Sequence, residues 1–225
     1  MLVKNWMSKK VVTIDENDSM QDAINLIKQH KINMLPVMKK GKLVGIVSDR
    51  DLKKASASDA TTLDVHELLY LISKIKIKDI MSKKPVTVPF DFTIEETASL
   101  LLENNISGAP VVDNGKQLVG VITQADIFKV ILSLTGIAKK GIHFGFKVKD
   151  LPGSIKEVAD IIRNYGGRMA SILTSYEKVP HGYRNVYIRT YGVDRSKFKK
   201  LLSDLKDKAD LLYYVDHTEN KREIF

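Results

Sequence analysis

The sequence contains one unit twice, and this duplication constrains the fold more than any other feature of the chain. The segment KNWMSKKVVT, which begins at Lys4, corresponds to KDIMSKKPVT, which begins at Lys78, an offset of 74 residues. The same offset relates Pro36 to Pro110, and one extra residue in the turn that follows raises it to 75. Two copies of about 55 residues each are therefore expected to fold alike.

A seven-residue motif closes each copy. It reads Gly, two β-branched residues, a hydroxyl residue, two variable positions and Asp, from Gly45 to Asp51 and again from Gly120 to Asp126. The hydroxyl and nearby backbone N–H groups can donate to a phosphate, and the Asp can accept from ribose hydroxyls. A plain helix cap, with Asp in the first helical turn, explains a single copy equally well. The occurrence of the motif twice in register favours ligand binding.

Each copy is predicted to have the element order β-α-β-β-α. The first helix begins at Asp18 or Ser19 in copy one, and at Thr93, which can form a capping box with Glu96, in copy two. Apolar residues follow both caps at helical spacing. Strands are predicted at 11–14, 34–38 and 43–47 in copy one and at 85–88, 109–112 and 118–122 in copy two, with second helices from 49 and 124.

The segment between the copies is predicted to be helical. Asp64 and Glu67 can form a capping box, and apolar residues at helical spacing follow. We therefore expect a linker helix from Val65 to Lys74, within the stretch 58–75.

The pattern changes after Gly136 to β-α-β-β-α-β, which is the order of the ferredoxin-like motif. The first helix of this part is predicted to begin with a capping box of Ser154 and Glu157. The polar end, 217–225, is predicted to be a frayed tail. The strands are predicted at 142–148, 168–176, 183–191 and 211–215.

Composition argues against several classes of function. The chain has no cysteine, which excludes disulfides and thiolate chemistry, and no apolar run long enough to span a bilayer. The start, MLVKNWMSKK, lacks the apolar core of a signal peptide, so we expect a cytoplasmic protein. The net charge of +9 comes from lysine pairs scattered along the chain, which is unlike a nucleic-acid-binding arm. Catalytic motifs and metal-ligand spacings are absent from the sequence, so neither an enzyme nor a metal site is expected.

The duplicated unit resembles the CBS domain, a nucleotide-sensing module that occurs in pairs. The resemblance rests on the Met-Ser and Val-Thr pattern at the start of each copy, the Pro-Val strand and the Gly-to-Asp motif. The C-terminal part resembles the ACT domain, a small effector-binding module, through its element order and the loop Asp150-Leu151-Pro152-Gly153. The whole arrangement is similar to the acetoin-utilisation accessory protein (AcuB-like) family.

These resemblances imply an α+β architecture in which two CBS units pack as a pseudo-twofold pair ahead of a ferredoxin-like ACT domain. The implied boundaries are 1–57 for CBS unit 1, 58–75 for the linker helix, 76–136 for CBS unit 2, 140–216 for the ACT-like domain and 217–225 for the tail.

The CBS resemblance also implies two clefts for an adenine nucleotide. Each would join the start and first hairpin strand of one copy to the Gly-to-Asp motif of the other. Cleft A would combine Met81, Val86, Ile106, Ser107 and Gly108 with Ser48, Arg50 and Asp51. Cleft B would combine Met7, Val12, Ile32, Asn33 and Met34 with Thr123 and Asp126.

The two clefts are predicted to differ in affinity. Gly108 leaves room for a planar base in cleft A, and Arg50 can grip a phosphate through two hydrogen bonds. Met34 and Ala125 stand at the matching positions of cleft B, which we expect to bind weakly or to be empty. Two alternatives stay open: both clefts serve only as core and helix caps, and Arg50 is a surface salt-bridge partner.

The ACT resemblance implies a second ligand, an amino acid or another small metabolite. Candidate effector-binding residues are Asp150, Leu151, Gly153 and Ser154, although a plain strand-to-helix turn also explains them. The predicted function is a non-catalytic, homodimeric sensor that responds to an adenine nucleotide such as AMP, ADP or ATP, needs no cofactor or metal, and controls a metabolic enzyme partner. The alternatives are an interaction or dimerisation subunit without ligand sensing and, less favoured, a nucleic-acid-binding regulator.

Overall fold

The computed structural model describes residues 1–59, 70 and 72–225. The predicted linker helix from Val65 to Lys74 falls largely outside these residues. The chain divides into two compact units, Met1–Phe128 and Lys129–Phe225. None of the helices in the described ranges has the length and apolar character that a bilayer crossing requires.

The first unit contains both copies of the repeat. Each copy opens with a short helical turn, at Val3–Asn5 in copy one and at Ile77–Ile80 (α3) in copy two. The other elements of copy one are β1 (Ile14–Asp15), α1 (Met20–His30), β2 (Met34–Lys39), β3 (Lys42–Ser48) and α2 (Asp49–Asp59). Those of copy two are β4 (Ser82–Lys83), β5 (Val88–Pro89), α4 (Ile94–Glu103), β6 (Gly108–Val112), β7 (Leu118–Thr123) and α5 (Gln124–Leu134).

The helix starts predicted for the two copies are confirmed. Ser19 is the N-cap of α1 and forms a reciprocal capping box with Asp22, and Thr93 does the same for α4 with Glu96. The hydrogen bonds with Ser19 lower the pKa of the Asp22 carboxyl, which shows that the box favours its charged form. The buried residues are Met20 and Ala23 on α1 and Ile94, Thr97 and Leu101 on α4.

The starts of the two copies are exchanged. The backbone N–H of Val3 donates to the Phe92 carbonyl at 2.9 Å, and the N–H of Ile77, the counterpart of Val3, donates to the Asp18 carbonyl at 3.0 Å. Further along, β4 of copy two pairs antiparallel with β3 of copy one, as an edge strand of its sheet. The reciprocal contact is the antiparallel bridge between Ser8 and Val121. Each copy therefore completes its backbone hydrogen bonding with the other copy.

The elements of the second unit are β8 (Ile142–Lys149), α6 (Ser154–Asn164), β9 (Arg168–Ser175), β10 (Tyr183–Tyr191), α7 (Phe198–Lys208), β11 (Asp210–Asp216) and β12 (Lys221–Ile224). The five strands form one sheet in the order β12-β11-β8-β10-β9. The helices α6 and α7 pack on the apolar side of this sheet, where Phe144, Phe146 and Ile188 are fully buried. The order β-α-β-β-α-β along the chain, followed by one more strand, is that of the ferredoxin-like motif with an added edge.

Two expectations for this unit are wrong. Ser154 does not cap α6, because the N-cap is Gly153 with φ +89° and no side-chain cap is present; Glu157 instead forms an ion pair with Lys208 at 3.0 Å. The end of the chain is not a frayed tail, since Lys221–Ile224 pairs antiparallel with β11. Phe225, the last residue, lies against Lys206, whose ammonium is 3.6 Å from the ring centroid.

A buried arginine holds the segment that leads from α5 into β8. Arg189 is 4% exposed, and its guanidinium donates to the carbonyls of Thr135 at 2.8 Å and Lys140 at 3.3 Å. Burial lowers the pKa of Arg189, and burial together with the charge of Arg189 lowers the pKa of the neighbouring His143 to about 4. His143 is therefore neutral at physiological pH, which avoids a second cation beside the buried guanidinium of Arg189.

The tight turn at Gly141 allows a test of this part of the fold. Gly141 has φ +68°, and a Cβ there would overlap the Thr190 carbonyl oxygen. Gly182 has φ +82°, and no atom lies within 4 Å of a Cβ placed there. Both Gly→Ala variants meet the left-handed backbone penalty, but only Gly141→Ala adds a clash with backbone. We expect Gly141→Ala to lose at least about 1 kcal/mol more unfolding free energy than Gly182→Ala in urea titrations. Equal losses would contradict the close approach to Thr190.

Candidate functional site

The first unit contains a cavity of about 720 Å³, called cavity A here, with walls from both copies. Its volume lies within the range of about 300–1,000 Å³ that is common for small-molecule sites. Seven of the eight residues predicted for cleft A line it: Ser48, Arg50, Asp51, Val86, Ile106, Ser107 and Gly108.

The Gly-to-Asp motif of copy one forms a compact hydrogen-bonded loop at the cavity wall. Oδ2 of Asp51 accepts from the Ser48 hydroxyl at 2.6 Å and from the Ser48 backbone N–H at 2.8 Å. The Asp51 backbone N–H lies 3.3 Å from the Ser48 hydroxyl oxygen. The helix-cap interpretation of the motif is therefore correct as local structure. No hydrogen bond within the described ranges engages Oδ1 of Asp51, so this oxygen can accept from a ligand.

The motif of copy two has the same bonds but a different environment. Oδ2 of Asp126 accepts from the Thr123 hydroxyl at 2.8 Å and from the Thr123 N–H at 3.1 Å. Asp126 is only 7% exposed, whereas Asp51 is half-buried. The two motif carboxylates thus differ in their access to solvent, and the predicted difference in affinity between the clefts stays a prediction.

The space predicted beside Gly108 is occupied by a side chain. A Cβ at Gly108 would lie 2.6 Å from Cε of Met34, 2.9 Å from the Ile122 carbonyl oxygen and 3.1 Å from Cγ2 of Thr123. The room for a base at this glycine is therefore filled by a methionine methyl group. Asn33 and Met34, which were predicted for cleft B, both line cavity A, and this part of the assignment is corrected.

The two methionines at the starts of the copies have a packing role. Met81, predicted for cleft A, is not among the residues that line cavity A; its thioether lies over Gly45, where no larger residue fits without displacing it. Met7, predicted for cleft B, covers Gly120 in the same way. Val12 and Ile32, also predicted for cleft B, pack partly buried against the core of copy one.

Several residues that line cavity A were missed. Each lies within two residues of a predicted position along the chain. The basic ones, Lys53, Lys83 and Lys84, were noted in the sequence only as members of scattered lysine pairs. The full set of missed residues is Ile46, Asp49, Lys53, Ser82, Lys83, Lys84, Pro85 and Asn105.

The second unit has a cavity of its own, called cavity C, also of about 720 Å³. Of the four predicted effector residues, Leu151 and Ser154 line it, and Asp150 and Gly153 do not. Asp150 instead lies 3.4 Å from Nε of Arg184. Other lining residues form two ion pairs, Lys147 with Asp210 at 2.6 Å and Lys208 with Glu157 at 3.0 Å, and the bond to Asp210 raises the pKa of Lys147.

Within residues 1–59, 70 and 72–225 no three carboxylate or imidazole groups converge in a way that could hold an ion.

The family of the repeat follows from a comparison with known proteins. The family model described as CBS domain matches residues 3–58 and 77–133, which are the two copies. The chain belongs to the CBS domain family. The predicted tandem CBS pair is thereby confirmed, and the match ends before β8 of the second unit.

Individual CBS proteins are similar over the same part of the chain. Protein MJ1426 of Methanocaldococcus jannaschii is 32% identical, and the match covers 59% of this chain and 92% of that protein. The L-aspartate semialdehyde sulfurtransferase of the same organism is 34% identical over 57% of this chain but only 23% of its own length. The structure of the CBS domain pair of protein MJ0100, in complex with 5′-methylthioadenosine and S-adenosyl-L-methionine, is 33% identical with a TM-score of 0.50, covering 58% of this chain and 95% of that one.

The contact between Met34 and Gly108 gives a test of the cavity wall. Gly108→Ala places a methyl group against Met34, Thr123 and the Ile122 carbonyl, so we expect it to lower the unfolding free energy by about 1–3 kcal/mol. Met34→Ala removes one of these obstacles. In a double-mutant cycle followed by urea unfolding, the double variant should therefore be more stable than the sum of the two single losses predicts. Strict additivity would contradict the contact.

Proposed function

We propose that the chain is a non-catalytic sensor that binds an adenine nucleotide in cavity A. The observation that carries the proposal is the convergence of one motif carboxylate, one hydroxyl and an apolar wall on a single cavity. Val86 and Ile106 come from copy two, and Ser48 and Asp51 come from copy one. A ligand with an apolar ring and a polar sugar would contact both copies at once.

Each part of the nucleotide has a chemical counterpart in cavity A. The half-buried Val86 and Ile106 offer apolar surface for the adenine ring. Oδ1 of Asp51 can accept a hydrogen bond from a ribose hydroxyl. The start of α2, at the positive end of the helix dipole, favours an anion.

The similarity to the MJ0100 pair supports an adenosine-type ligand, because that structure holds two adenosine derivatives. The similarity to the sulfurtransferase is confined to 23% of that enzyme, which leaves most of the enzyme without a counterpart in this match. A regulatory rather than catalytic role for the CBS pair agrees with both observations.

The second motif is proposed to be a weak or unused site. Burial of Asp126 keeps its carboxylate away from a ligand, and Ala125 replaces the arginine of copy one. One nucleotide per chain, bound in cavity A, is the stoichiometry that follows.

The second unit is proposed to be an ACT-like module that binds a small metabolite such as an amino acid in cavity C. A zwitterion carries one charge of each sign, and the paired charges Lys208–Glu157 and Lys147–Asp210 line this cavity. In this proposal the two ligands act on a cytoplasmic homodimer that controls a metabolic enzyme partner, as the resemblance to the acetoin-utilisation accessory proteins implies.

The motif carboxylates give a matched test of the nucleotide proposal. Asp51→Asn keeps an acceptor for Ser48 but removes the charge from the ligand-facing oxygen, so AMP and 5′-methylthioadenosine should bind at least about tenfold more weakly by calorimetry. Asp126→Asn makes the same chemical change in copy two and should alter affinity less than about twofold. Equal effects of the two variants would contradict the assignment to cavity A. No binding of either ligand to the unchanged protein would favour a dimerisation subunit without ligand sensing.

Cavity C is tested by filling it. Leu151 lines this cavity and is 58% exposed, so Leu151→Trp narrows the space at little cost to the fold. A thermal-shift screen with the twenty amino acids should identify a ligand that raises the melting temperature, and Leu151→Trp should abolish that rise. Ile224→Trp, a change at an 85% exposed site on β12, serves as the control. A rise that survives Leu151→Trp would place the ligand elsewhere.

A further inference from the structure

The face of the second unit's sheet that lies opposite α6 and α7 carries three aromatic side chains. Phe144 and Ile188 point toward the helices and are fully buried. Because side chains alternate along a strand, His143, Tyr187 and Tyr213 point to the other face. The His143 ring centroid lies 5.7 Å from that of Tyr213 and 6.3 Å from that of Tyr187. These three rings form one cluster on three adjacent strands, called the aromatic platform here.

A glycine at the centre of the sheet brings a tyrosine ring close to the backbone. Gly145 on β8 pairs with Tyr187 on β10 and with Tyr213 on β11. A Cβ at Gly145 would overlap Cε1 of Tyr213, so the ring lies against the backbone of the central strand. The three aromatic residues of the platform are half-buried, and part of each side chain is therefore accessible to solvent. Rings held in this way can stack with a planar base.

Two arginines lie in the same row of the sheet as His143. Arg189 pairs with His143 directly, and Arg222 pairs with Val215, which is the partner of His143 on β11. Arg189 is buried beneath the Thr135 carbonyl, whereas Arg222 is exposed. Within the described ranges, no carboxylate lies at ion-pair distance from either guanidinium. The platform therefore borders one accessible cation and lies in the field of a buried one.

The carboxylates that lie nearest along β11 and β12 do not offset these arginines. They are paired with other cations: Asp210 with Lys147, Asp216 with Arg195 and Glu219 with Lys221. The face thus combines aromatic surface with an excess of positive charge. This combination is typical of proteins that bind a single strand of nucleic acid, since the rings stack with bases and the cations attract phosphates.

We propose that the aromatic platform binds single-stranded nucleic acid, with bases stacked on His143, Tyr187 and Tyr213 and a backbone phosphate on Arg222. In one common class of RNA-binding domain, aromatic residues on a four-stranded sheet stack two or three bases. The inference concerns the second unit and is independent of the nucleotide proposed for cavity A. The scattered lysine pairs in the sequence gave no sign of it, because the sheet assembles the platform from three strands that are distant in the sequence.

The first test measures binding by fluorescence anisotropy on the full chain. The probes are labelled single strands of RNA and of DNA, each about twelve nucleotides long. We expect at least one of them to bind, and the unlabelled duplex of the same sequence to compete at least about tenfold more weakly, because its bases are stacked on each other. Equal competition by the duplex would assign binding to charge alone and overturn the proposal, as would failure of both strands to bind.

Uridine monophosphate distinguishes a strand from a single nucleotide. It offers one base and one phosphate, so it should displace the labelled strand at least about tenfold less effectively than the unlabelled strand does. Displacement at the same concentration as the strand would identify a mononucleotide site and overturn the assignment to nucleic acid.

Substitutions at one tyrosine separate stacking from hydroxyl chemistry. Tyr187→Leu removes the ring and should weaken strand binding at least about fivefold, whereas Tyr187→Phe keeps the ring and should change it less than about twofold. Tyr176→Leu makes the same change at a 60% exposed site beyond the end of β9 and should have no effect. Equal losses in Tyr187→Leu and in either of the other two variants would overturn stacking on the platform.

Cross-linking tests the location on the unchanged protein and does not depend on the folding of a variant. Irradiation with a thiouridine-substituted strand should attach it to peptides that contain His143, Tyr187 or Tyr213. Cross-links confined to Met1–Phe128 would overturn the assignment to the second unit.

The phosphate contact is tested by a pair of variants with equal charge change. Arg222→Gln should weaken strand binding at least about threefold and reduce the slope of log affinity against log salt concentration by about 0.7. Lys199→Gln removes one positive charge from an exposed position on α7, on the other side of the sheet, and should leave the slope unchanged. Equal effects of the two variants would assign the attraction to net charge and overturn the contact at Arg222.

Discussion

The first unit depends on backbone hydrogen bonds that each copy receives from the start of the other. The N–H of Ile94 donates to the Met1 carbonyl at 2.8 Å, and the N–H of Met20 donates to the Ile75 carbonyl at 2.9 Å. Without these bonds, buried polar groups at both helix starts would lack partners, at a cost comparable to several kcal/mol in total. The exchange also brings Val86 of copy two opposite Ser48 of copy one, so the same bonds that complete the fold create cavity A.

Duplication does not make the two motifs equivalent. Both have the same hydroxyl-to-carboxylate bonds within a few tenths of an ångström. Their difference arises outside the motif, where burial leaves Asp126 only 7% exposed. A hydrogen-bonded carboxylate in a buried position contributes to stability, whereas the same group at a cavity wall also remains available to a ligand. Position in the packed structure, rather than the motif itself, separates the two roles.

Local sequence predicted what depends on neighbours in the chain. The caps at Ser19 and Thr93 follow from a hydroxyl residue three positions before a carboxylate, and seven cleft A residues follow from the repeat and its resemblance to the CBS pair. Contacts between residues that are distant in the sequence could not be predicted. The methyl group of Met34 fills the space beside Gly108, and Lys84, one of many scattered lysines in the sequence, lines the rim of cavity A. The edge strand 221–224 was not predicted, because its charged residues were interpreted as part of a frayed polar tail.

The cap at Ser48 and the proposed binding of a nucleotide are compatible because they use different oxygens of Asp51. Oδ2 is fixed by the Ser48 hydroxyl and N–H, and this fixes the direction of Oδ1 before any ligand arrives. A preorganised acceptor spares the ligand the entropy of ordering the side chain. Since the cap need not break on binding, the free and occupied forms can share one conformation of the motif. Any change that a nucleotide transmits must then arise from differential contacts outside the motif.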